Sequence, residues 1–135
     1  MQTEIVRKIY RVADVQGRGM YAGTENAVSE NLDTERHPPP EHDELLMYNL
    51  YKKSGSYCFS PEWYFGFKNL RQLLRWVGGE YELRDLRDNG FCIEVHYVYD
   101  EDYVEGNTQV VFRCENKIKT TKHSIAKVFK LKNKE

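Results

Sequence analysis

The chain has 135 residues, a formal net charge of −1 and 13% aromatic side chains, among them ten tyrosines. So many large side chains exclude a disordered protein, and the near-neutral balance excludes a global field that would draw nucleic acid or an anionic membrane. No apolar run reaches the roughly 18 residues of a membrane span, no charged-then-apolar leader opens the chain, and Cys58, Cys92 and Cys114 form no C-x-x-C pair, so a single domain over residues 1–135 with free thiols in a cytoplasm is expected.

Residues 4–12 alternate weakly and predict a half-buried strand with Val6, Tyr10 and Val12 inward. Gly17-x-Gly19 follows as a turn. From Thr24 to Glu44 periodicity fades into a long irregular loop, in which Pro38-Pro39-Pro40 exclude helix. Leu45, Leu46, Tyr48, Leu50 and Tyr51 make a short apolar patch, and residues 52–56 read as a turn. Asn69 is placed as an N-cap with Gln72 three residues on, and Leu70, Leu73, Leu74 and Val77 recur at helical spacing until Gly78-Gly79. A second short helix runs from Glu80 to Asp88, with Leu83 and Leu86 inward, and stops at Asn89-Gly90. Phe91 to Tyr99 is the clearest strand. Asp100 to Asn107 reads as an acidic turn, and residues 109–112 as the strand that returns to pair with it. Residues 117–135 form a lysine-rich terminal element, with Ile125, Val128, Phe129 and Leu131 as its apolar residues. The expected fold class is α+β, a twisted, antiparallel-rich sheet with two short central helices.

Catalytic motifs are sparse. His37 and His42 flank the prolines without further ligands at metal spacing, and Gly17-x-Gly19 lacks the third glycine of a dinucleotide fingerprint. Asp100, Glu101, Asp102 and Glu105 would serve as an acid–base pair only if burial separated them, and a solvated hairpin tip is the plainer reading. The terminal lysines suit either phosphate contact or a solvated outer face. One dispersed constellation remains: Arg11 leaving the first strand, Tyr21 after the glycine turn, Phe65 and Phe67 before the helix, and Gln109 opening the late strand. An arginine beside exposed aromatics can hold a diphosphate while rings sandwich a base, with Tyr21, Phe65 and Phe67 as walls and Gln109 on a sugar hydroxyl. The same aromatics serve equally as core, with Arg11 packed along its stem.

Tyr10-Arg11, Gly17 to Tyr21, His37 to Pro40, Phe65-Gly66-Phe67 with Trp76, and Gln109 to Phe112 together resemble a family of small phage- and prophage-encoded proteins, over residues 9–113. The resemblance brings no activity with it, and it implies the host cytoplasm as location. More distantly, the order of these pieces is similar to the ADP-ribosyltransferase fold. That resemblance implies an NAD or ADP-ribose-like ligand, with Arg11, the Phe65 region and Gln109 on the three ligand-facing positions. Gln109 stands where that family's catalytic Glu would, which implies a pocket that binds without turnover. The expectation is an accessory, counter-defence protein binding a nucleotide or NAD-derived ligand or a host protein. The alternatives are an active ADP-ribosyltransferase using Glu105 or Glu94, and a nucleic-acid-binding module built on the lysine-rich end.

Overall fold

The computed structural model describes residues 4–14 and 40–131. In chain order these are β1 (Val6–Ala13), α1 (Glu44–Ser54), β2 (Trp63–Gly66), α2 (Leu70–Val77), α3 (Glu80–Asp88), β3 (Cys92–Tyr99), β4 (Tyr103–Glu105), β5 (Val110–Arg113), β6 (Lys119–Ser124) and α4 (Ile125–Val128). Short 3-10 turns precede α1 and β4 and follow β5. The fold is α+β, with two antiparallel three-stranded sheets ordered β1-β3-β6 and β2-β5-β4.

Strand register decides the layering. Because side chains alternate between faces, the pairs Arg11↔Glu94↔Lys122 and Ile9↔His96↔Thr120 put these residues on one face of the first sheet. The opposite face carries Val12, Ile93 and Val95, packed with Leu73, Trp76 and Val77 of α2, Leu83 and Leu86 of α3, and Ile125 of α4. Ile9 and Val98 face the second sheet, where they meet Tyr103, Val110 and Phe112. The far side of that sheet offers Trp63, Val104 and Val111 to Leu46 and Leu50 of α1. The molecule is thus layered as helices, sheet, sheet and a single helix.

The two sheets are tied at one corner. Tyr10 and Phe67 exchange backbone hydrogen bonds in both directions, each of 2.8 Å. Gly66 makes that approach possible, since a Cβ there would lie 2.5 Å from Ile9 Cγ2 and 2.9 Å from the Tyr10 carbonyl oxygen.

Several expectations are met. Asn69 caps α2, its side chain accepting from the Gln72 amide, the bounds of α3 fall where spacing placed them, and β3 starts one residue later than expected, at Cys92. Others are corrected. The 45–51 patch and much of the expected 52–56 turn form one helix, α1, capped by Asp43 and closed by Gly55. The described residues hold four helices, not two. Residues 110–113 do not return onto β3 but pair with β2 and β4, and the acidic turn contains β4 itself. In β1, Val12 is buried as expected, but Val6 is 49% exposed, and Ile9, Arg11 and Ala13 on the other face are buried as well. The reason is the second sheet, which covers a face that alternation alone would leave wet. Most of the 24–44 loop lies outside the described residues, and Pro40–His42 is a 3-10 turn.

Candidate functional site

Two charged regions stand out, one sealed between the sheets and one open beside α1. The sealed one is a row across the first sheet. Arg11 Nη1 donates to Glu94 Oε1 at 2.7 Å, His96 Nε2 lies 3.0 Å from the same oxygen, and Thr120 Oγ1 lies 2.9 Å from His96 Nδ1. The second sheet roofs the row: Tyr64 lies under the Arg11 guanidinium at 5.1 Å, and Phe112 sits 5.1 Å from the His96 ring. Arg11, Glu94 and His96 are 8%, 5% and 3% exposed. Burial by itself pushes the Glu94 carboxyl up, but the bonds from His96 and Arg11 outweigh it and hold the group below the usual range. The row is satisfied by its own members.

The open region is a cleft of about 290 Å³ between α1, the start of β1 and β4. Asn49, Lys52 and Lys53 come from α1, Arg7 from β1, Asp100 from the 3-10 turn, and Tyr103, Val104 and Glu105 from β4. Leu46 and Leu50 pin α1 to the second sheet, which aims the flank carrying Asn49 and Lys53 at β4. Asn49 Nδ2 donates to the Glu105 carbonyl at 2.8 Å, and Lys53 Nζ donates to the carbonyls of Asp100 and Tyr103 at 2.7 Å each. Arg7 Nε donates to Asp100 Oδ1 at 2.7 Å, with its guanidinium 5.2 Å above the Tyr103 ring. The Tyr103 hydroxyl donates to Glu105 Oε1 at 3.2 Å. Partial burial lowers the Lys53 pKa, and burial followed by the Glu105 charge raises that of Tyr103.

The Asp43 carboxylate sets the cleft wall. It accepts the Leu46 amide as helix cap, the Asn107 and Thr108 amides, and the Thr108 hydroxyl. Burial opposes its ionisation, but these four donors leave its pKa below the usual value. They stitch α1 to the β4–β5 turn, and Gly106 fits there because a Cβ would lie 2.6 Å from Asp43 Oδ2.

The residues expected to bind a nucleotide are spread through the layers. Arg11 is in the sealed row. Phe65 projects to the α1 side of the second sheet, edge-on to Phe59 at 5.1 Å. Phe67 is in the helix-side core against Trp76. Gln109 is 1% exposed and engaged within the protein, and Tyr21 lies outside the described residues. Arg11 is brought together with Tyr64, Glu94 and His96 instead. The acidic cluster also divides. Asp100 holds Arg7, Asp102 is buried against Arg113 and Asn116, and Glu105 lines the cleft. Among the described residues no three His, Cys, Asp or Glu side chains are grouped to hold a metal ion, and no helix is long and apolar enough to cross a membrane.

Sequence reasoning missed the cleft. Lys52 and Lys53 carried a weak signal, as the basic last turn of a helix whose inward residues Leu46 and Leu50 are four apart.

With this geometry in hand, comparison with known proteins gives the lineage. The model of the family described as bacteriophage T4 Y00F protein matches residues 1–126. The chain belongs to that family. A relative in Enterobacteria phage T4, described as an uncharacterized 19.7 kDa protein in the motB-dexA intergenic region, is 29% identical over 102 residues. The match covers 65% of this chain and 61% of the relative, so the chain spans less than two thirds of that protein's length. No solved structure matches this Y00F family member. The likeness to the ADP-ribosyltransferase fold therefore rests on the order of the sequence pieces alone.

Proposed function

We propose that this phage protein is an accessory factor that acts by binding a host protein, in the manner of a counter-defence factor, and not by turnover. The observation that carries this reading is the outer face of α1. Leu45, Tyr48, Tyr51 and the following Tyr57 are 36%, 57%, 47% and 58% exposed, and Tyr51 and Tyr57 stack on one another at 4.6 Å. Residues 45 and 48, and 48 and 51, are neighbours at helical spacing, so these side chains form a continuous patch. Rigid, amphipathic tyrosines of this kind supply contact area at small entropic cost and are enriched at the centres of protein interfaces. Binding over turnover is supported by the state of the two carboxylates that a transferase would use. Glu94 is 5% exposed and committed to Arg11 and His96, while Glu105 stands on the edge strand of the other sheet. A nucleic-acid reading has less support, because β6 sends Lys119 and Lys122 to opposite faces, so these two do not share one basic stripe.

The test is affinity capture from host lysate with the tagged protein and with a Tyr48→Ala/Tyr51→Ala double variant. A discrete host protein held by the parent and lost by the variant, with little change in melting temperature, supports the reading. Identical captures by both would sink it.

A further inference from the structure

We infer that the cleft beside α1 is a binding site for a phosphate monoester carried on a hydroxylated sugar. The inference does not depend on the host-protein reading, although the Tyr48 ring beside Lys52 also belongs to the tyrosine patch. It rests on how the charges in the cleft are committed. Arg7 spends only its Nε on Asp100, so the two terminal nitrogens of its fork have no hydrogen-bond partner among the described residues. Lys52 is likewise held by no hydrogen bond there, its ammonium resting 5.3 Å from the Tyr48 ring. These are the donors that bind phosphate best, a planar fork that can grip two oxygens and a mobile point charge.

Lys53 behaves differently. Both of its hydrogen bonds among the described residues go to backbone carbonyls, and this fixes its positive charge in the cleft wall without consuming an anion. Asp100 is consumed in orienting Arg7, but Glu105 is exposed and its carboxylate accepts only from Tyr103 among the described residues. A site meant for a bare anion would gain nothing from that carboxylate. A sugar hydroxyl donates to it, and the Asn49 side-chain oxygen offers a second acceptor nearby. Three cations, Arg7, Lys52 and Lys53, with the Glu105 carboxylate and Asn49 lining the same cleft, therefore suit a ligand with an anionic head and a neutral, hydroxyl-bearing body. The volume, about 290 Å³, is at the small end of ligand sites, which fits a sugar phosphate or a nucleoside monophosphate and not a dinucleotide.

The experiment is calorimetric titration of the full chain with ribose 5-phosphate, adenosine 5′-monophosphate and inorganic phosphate, repeated on Arg7→Gln, Lys52→Gln and, as a control away from the cleft, Lys119→Gln. Saturable binding of one or both sugar phosphates is expected, weakened about tenfold by Arg7→Gln or by Lys52→Gln and unchanged by Lys119→Gln. Lys52→Gln keeps the test readable if Arg7→Gln folds poorly, because that ammonium carries no structural hydrogen bond. Equal affinity for the two sugar phosphates identifies a sugar phosphate as ligand class, and a clear preference for the nucleotide identifies a base contact beyond the cleft. Absence of saturable binding by either overturns the inference. So does inorganic phosphate binding as tightly as either ester, or affinities untouched by both cleft variants.

Discussion

The sealed row and the open cleft are built from the same kinds of side chain and come to opposite ends. In the row, Arg11, Glu94 and His96 are lifted out of water and every charge is answered by another member of the chain. In the cleft, Arg7 and Asp100 stay 42% and 45% exposed, and several donors are answered by nothing in the described protein. What separates them is the second sheet, which roofs the row with its Tyr64 and Phe112 but meets the cleft only with its edge strand β4. Charge alone does not mark a site; charge left over after the fold has used what it needs does.

Breaking the row should have the largest effect. Glu94→Ala strands a buried guanidinium and imidazole without their shared acceptor and is expected to cost about 3–5 kcal/mol in denaturant unfolding. A loss within about 0.5 kcal/mol would mean that water replaces the carboxylate and that the row is not sealed. Next comes Asp43→Ala, which removes a helix cap and three bonds to the β4–β5 turn, for an expected loss of about 2 kcal/mol. That variant should also weaken ligand binding if the cleft is real, since it frees the wall that carries Asn49 and Lys53.

The pH dependence sharpens the same contrast. Asp43 and Glu94 both have folded-state pKa values below the ordinary carboxylate range. Their stabilisation is therefore fully present above the unfolded values, about 3.9 for Asp and 4.3 for Glu, and is lost as pH falls through the lower folded values. Acid unfolding below about pH 4 should be shallower in Asp43→Asn than in the parent, and unchanged steepness would remove Asp43 from that account. The smallest effect is expected at the cleft itself. Arg7→Gln and Lys52→Gln should alter stability by no more than about 0.5 kcal/mol, because exposed ion pairs are worth little. A larger loss at either would turn the cleft into a structural feature like the row.

Local chemistry made the middle of the chain legible. Asn69 and Gln72 spell a capping box, Leu73 and Val77 hold helical spacing, and β3 alternates cleanly, so α2, α3 and β3 could be read directly. In α1 the period is smeared, because Leu45, Tyr48 and Tyr51 put apolar residues on the outer face opposite Leu46 and Leu50. The pairing of β5 was not legible for another reason. Val110 and Val111 would suit any strand partner, and β2, more than forty positions earlier, wins only through tertiary packing. The burial of Glu94 and His96 has the same cause, since the cover over their face comes from the second sheet. Of the five side chains read as a ligand pocket, Arg11 did point to an organised cluster, but its partners came from residues 64, 94 and 96. Arg7, Lys52 and Lys53 meet only once α1 has docked.

The corner where Tyr10 and Phe67 exchange backbone bonds makes β1 a two-sided gauge. The Tyr10 amide points at Phe67, so by the alternation of an antiparallel ladder the amides of Ile9 and Arg11 point at β3. Solvent deuterium would then enter neighbouring positions of one strand through different openings. Labelling at Tyr10 and Phe67 would record the parting of the two sheets, and labelling at Ile9 and Arg11 the unzipping of the first sheet itself. Three consecutive residues thus suffice to time, in one experiment, which of the two seams of this protein gives way first.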